Sequence, residues 1–115
     1  MARVVAVFDD LLLGSNVLGM LRAGGFEATL SGADAHPEGA DALIVDLAST
    51  GFDGVELVER LRAGGELEGT KTLGVYSHVD ADTKRRAEAA GFDQVVPRSR
   101  VAREGSALVE RLIQA

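Results

Sequence analysis

"ALIVDLASTGFDG", Ala42 to Gly54, is the stretch on which the fold turns. Four apolar residues run straight into an aspartate, and a glycine-containing turn follows. A short apolar run bounded by turn residues reads as a buried strand. Asp46 then ends that strand as a helix cap, a surface charge or a reaction centre, and the rest of the chain has to decide which.

The 115 residues, 46% hydrophobic and 26% charged, fit one ordinary globular domain spanning 1–115. No apolar run approaches the roughly 18 residues that cross a bilayer. "MARVVAVFDD" meets acid too early for a signal-peptide core, so no membrane partner is expected. The absence of cysteine excludes disulfides, zinc ribbons and thiol chemistry, and suits a cytoplasmic location. A net charge of −6 argues against nucleic acid as a partner.

Outward from Asp46 the chain alternates between two periodicities. "RVVAVF" (Arg3–Phe8), "FEATL", "ALIVD", "TLGVYS" and "QVVP" read as short strands. "LLLGSNVLGMLRA" places Leu13, Val17, Met20 and Leu21 on one helical face, stopped by Gly24 or Gly25. "DGVELVERLRAGG" reads as a helix capped by Asp53 with Glu56 three residues on. "DADTKRRAEAAG" reads as a helix capped by Asp80 and ended by Gly91, and "AREGSALVERLIQA" as the last helix. The echo between "LRAGGFE" and "LRAGGELE" marks two similar helix ends, not a repeat.

Strands alternating with helices imply an α/β fold: a three-layer, doubly wound, five-stranded parallel sheet. Right-handed crossovers favour the flavodoxin-like order 2-1-3-4-5. Only the 11 residues Ser31–Asp41 separate "FEATL" from "ALIVD", so the second helix is shortened or missing. All parallel strands end at one edge, which collects Asp9 and Asp10, Asp46, Ser77 and His78, and Arg98. In that order the first and third strands flank the switch point where such folds bind ligands. Asp9, Asp10 and Asp46 would meet there, and three close carboxylates call for a hard cation, Mg²⁺ best of all.

At this point the chain resembles the receiver domain of two-component response regulators. "VAVFDD" looks like the first strand with its acidic pair, "LIVDLASTGFDGVEL" like the phosphoacceptor strand and loop, and "AGFDQVVPRS" like the segment leading to the family's Lys-Pro. The resemblance covers nearly the whole chain. It implies a stand-alone, non-enzymatic signalling module in which Asp46 accepts phosphate from a histidine kinase or phosphotransfer protein. Asp9 and Asp10, with Asp46 and the carbonyl of Ala48, would bind Mg²⁺, and Ser77 would bond the phosphoryl group. A downstream partner or a second copy would use the face formed by residues 80–114.

Four features depart from the family's pattern. Arg98-Ser99 replaces Lys-Pro, exchanging a compact ammonium for a longer planar fork. Val95 stands where the family places Tyr or Phe, Thr50 replaces a common proline, and the second helix is cut short. Tyr76 and Ser77 both compete for the Ser/Thr switch position. Two further readings therefore stand beside the first. One is a pseudo-receiver, a protein-interaction module in which Arg98 pairs permanently with Asp46. The other, a small nucleotide or flavin binder, is disfavoured because "FDDLLLGS" puts acids where a phosphate loop would lie. Asp9 and Asp10 have an alternative role as caps of the helix they precede. His36 and His78 read as loop residues.

Overall fold

Among the described residues, three of four helices begin at an aspartate whose carboxylate accepts from the first free backbone N–H groups, and short strands run between them. The order is β1 (Arg3–Val7), α1 (Leu11–Ala23), β2 (Glu27–Ser31), β3 (Ala42–Asp46), α2 (Gly54–Ala63), β4 (Lys71–Tyr76), α3 (Ala81–Ala89), β5 (Gln94–Pro97) and α4 (Arg98–Gln114). This computed structural model describes every residue except His78, so the expectation for that side chain lies outside the described residues. Asp10, Asp53 and Asp80 cap α1, α2 and α3 by accepting backbone N–H bonds.

The five strands are all parallel in the order β2-β1-β3-β4-β5, as the sequence pattern implies. α1 and α4 cover one face over a core that includes Phe8, Ile44, Val75 and Val101. α2, α3 and the β2–β3 connection cover the other, over Val5, Leu43, Val45 and Leu61. β3 sits centrally and every one of its residues is buried.

No helix spans β2 to β3. Residues 32–41 cross the sheet as turns, burying Ala35, Pro37 and Ala40. Hydrogen bonds to the carbonyls of Ala33, Glu38 and Ala40, from Arg60, Arg3 and Thr70, hold this segment in place of helical packing.

Two helices differ from simple expectation. α4 starts at Arg98, four residues before the Ala102 read from sequence. The charged "RSR" looks like loop, yet Val101 is buried and continues the face of Gly105, Leu108 and Leu112 into the first turn. α3 buries only Ala87. Arginines tie it to its neighbour instead: Arg86 pairs with Asp53, and Arg62 donates to the carbonyls of Ala90 and Gly91.

Candidate functional site

Side chains alternate along β3, so Leu43 and Val45 enter the α2–α3 layer while Ala42 and Ile44 enter the α1–α4 layer. The same period carries Asp46 toward α1 and α4. It is the last residue of the central strand and is fully buried. Its Oδ1 accepts the Ala48 N–H at 2.9 Å. Arg98, placed in the first turn of α4 by that helix's early start, brings Nη2 to 3.4 Å from Oδ2 and 3.5 Å from Oδ1.

One nitrogen thus straddles both carboxylate oxygens. The pair is not the two-pronged fork that an arginine and a carboxylate make when each nitrogen meets its own oxygen. The contacts are also longer than the roughly 2.7–2.9 Å of a tight charge-assisted bond. Arg98 balances the buried charge of Asp46 without gripping it.

The acids expected beside Asp46 are used differently. Asp10 turns to α1, where Oδ1 accepts from the N–H groups of Leu12 and Leu13 at 3.0 and 3.1 Å. Asp9 is exposed, and its Oδ2 lies against Gly51, in the space a β-carbon there would fill. Among the described residues no three acidic or histidine side chains converge on one cation position. Asp10 caps α1, Asp9 leans on the β3–α2 loop, and Asp46 faces a guanidinium.

Ser77 is half-buried just beyond β4, and its carbonyl accepts the Asp80 N–H at 2.9 Å. Tyr76 belongs to the core under α2 and α3, on the opposite side of the sheet from Asp46, with Lys84 Nζ 6.0 Å from its ring centroid. Val95 packs against that same α2–α3 core and is partly buried.

The glycine of "GFDG" has a steric reason. A β-carbon on Gly54 would lie 2.7 Å from Val45 Cγ1 and 3.1 Å from the Asp46 carbonyl oxygen, so α2 approaches the end of β3 only because nothing is there. The sequence gives no sign of the pairing made by Arg86. That side chain lies 3.0 Å from Asp53 Oδ2, across the mouth of a polar cleft of about 560 Å³ between the β3–α2 loop and α3. Burial pushes the Asp53 pKa up, but the Glu56 N–H and the Arg86 guanidinium outweigh it and hold the carboxyl below its ordinary value. No local signal could have shown a pair 33 residues apart.

No protein-family model matches the chain, and no curated protein sequence matches it. Solved structures do. A Chloroflexus aurantiacus protein described as a response regulator superposes with a TM-score of 0.86 at 21% identity, covering 99% of this chain and 98% of the other. The receiver domain of the Francisella response regulator 1452 gives 0.84 at 16% identity, over 99% and 98%. The receiver domain of a Pseudomonas aeruginosa sensor histidine kinase, with a magnesium ion coordinated in its active-site cleft, gives 0.83 at 19% identity, over 99% and 98%. The chain has the fold of response-regulator receiver domains.

Proposed function

We propose that the chain is a receiver-type signalling module with Asp46 as its phosphoacceptor. The observation that carries this reading is a fully buried carboxylate at the end of the central strand, facing a cation from the β5–α4 junction. A stray surface acid would not be buried, and a helix cap would be spent on a helix's N–H groups. Asp46 instead accepts one N–H from the loop behind it.

In the proposed step, a carboxylate oxygen of Asp46 attacks the phosphorus of a kinase's phosphohistidine, the P–N bond breaks and the imidazole leaves. Arg98 is the fixed positive charge beside the incoming phosphoryl oxygens, so positioning and charge compensation do most of the work. Ser77 is our candidate donor to the phosphoryl group. Asp9 and Asp46, with the carbonyl of Ala48, are our candidates to hold Mg²⁺, which would supply further charge compensation. The partner surface we assign is the face of α3, β5 and α4, where the Lys84–Arg86 cluster stands among small alanines.

A second reading rests on Arg98 Nη2 reaching both oxygens of Asp46. If that contact serves as a permanent substitute for phosphate, the module signals through partner availability alone. Incubation with acetyl phosphate and Mg²⁺, read by intact mass, separates the two. One added phosphate in the native chain and none in Asp46→Asn is the expected result. No addition under saturating donor leaves the pseudo-receiver.

A further inference from the structure

α1 and α4 pack closely at one end and splay at the other. At the close end Met20 lies directly over Gly105, and Ser106 donates to the Met20 carbonyl at 2.9 Å while pressing on Gly24. A side chain at Gly105 would displace the end of the Met20 side chain. Toward the sheet edge that bears Asp46, the helices open into a cavity of about 320 Å³. Phe8, Val75 and Val101 are its buried floor, and Leu13 and Met20, partly buried, form one wall. The exposed Asn16 and Arg98 are its polar rim.

This combination is characteristic of a small-ligand site, a mostly apolar hollow of roughly 300 Å³ or more with a few polar groups to fix orientation. The charge at the rim specifies the ligand. Among the described residues Arg98 uses Nη2 alone, toward Asp46, and its Nε and Nη1 have no acceptor. Each two-pronged fork of a guanidinium uses Nη2 together with Nε or Nη1, so a carboxylate docking here pairs with one open N–H and shares Nη2 with Asp46.

We propose that the α1–α4 cavity binds a small amphipathic monocarboxylate, with its hydrocarbon over Phe8, Val75 and Val101 and its carboxylate on Arg98. Val75 is also the register partner of Asp46, so the bound hydrocarbon lies beside the β3–β4 pair that carries the candidate phosphoacceptor. The ligand carboxylate competes with Asp46 for one cation. Occupancy therefore draws Arg98 off Asp46, and this consequence for regulation rests on the function proposed above, whereas the binding site does not.

The test uses octanoate, octylamine and octanol as probes, titrated into the full chain with binding followed by backbone amide shifts and calorimetry. Octanoate is expected to bind saturably and shift amides of Phe8, Leu13, Val75 and Val101, while octylamine does not bind. Arg98→Gln is expected to weaken octanoate about tenfold or more, the loss of a charge-assisted bond. Ala102→Leu, which adds bulk at the cavity wall from an exposed position, is expected to abolish binding without lowering stability. Octylamine binding as well as octanoate, no saturable octanoate shifts, or full binding by Ala102→Leu would each overturn the proposal. Binding is read without a phosphodonor, so its failure leaves the phosphoacceptor reading standing, and a chain that never takes phosphate still binds octanoate.

Discussion

Replacing Arg98 by alanine measures how far Asp46 depends on its cation. Removing one partner of a fully buried ion pair costs about 3–5 kcal/mol, whereas an exposed pair is worth about 0–1 kcal/mol. This pair lies between those limits. Asp46 is fully buried, but the Arg98 side chain is 42% exposed, so water can reach the vacated position. The contacts of 3.4 and 3.5 Å are long, and the Ala48 N–H stays on Oδ1. The expected coupling between the two side chains is therefore about 1–2 kcal/mol, with Arg98→Ala lowering Tm by about 4–8 °C in a domain of this size. Urea unfolding of the native chain, Arg98→Ala, Asp46→Asn and the double variant closes the cycle. A coupling below about 0.5 kcal/mol, the scatter of independent sites, would refute the view that Arg98 compensates Asp46.

Three further outcomes are expected. Asp53→Asn should destabilise the chain at neutral pH and lose that effect on acidification. The folded-state pKa of Asp53 is depressed, so its contribution is present above the unfolded value of about 3.9 and disappears as pH falls through the folded one, which paired acid titrations of both chains would reveal. Asp10→Ala should cost about 1 kcal/mol in thermal unfolding while Asp10→Asn, which keeps an accepting oxygen for Leu12 and Leu13, should cost little; loss of phosphorylation in Asp10→Asn would show that the carboxylate does more than cap. Mg²⁺ titration followed by amide shifts should move Asp9 and Asp46 more in Arg98→Ala than in the native chain, and equal responses would mean that the guanidinium does not occupy the cation's place.

How much of this was visible in the sequence depended on how local the interaction is. The caps at Asp10, Asp53 and Asp80 act within three residues, and the strands are runs of only four to six, so both were legible. The edge that gathers Asp46, Ser77 and Arg98 followed from parallel order alone, because every parallel strand ends on the same side. Side-chain direction did not follow. Asp9 and Asp10 share a loop, but one leans on Gly51 and the other binds α1. The early start of α4 was hidden because "RSR" has loop chemistry while its helical face is set by one buried residue, Val101. The Arg86–Asp53 and Arg62–Ala90 contacts join residues 33 and 28 apart, beyond any periodic signal.

The spare packing of α3 has a thermodynamic consequence of its own. With Ala87 as its one buried side chain, α3 itself contributes little hydrocarbon to the core, although it covers Tyr76. The heat-capacity change and denaturant response of its release are therefore set by the core surface it covers more than by its own side chains. The Arg86–Asp53 bridge answers to ionic strength instead. Being exposed, that bridge is worth about 0–1 kcal/mol, so salt weakens the hold on α3 by no more than that, while the Arg62 bonds to the carbonyls of Ala90 and Gly91 stay in place.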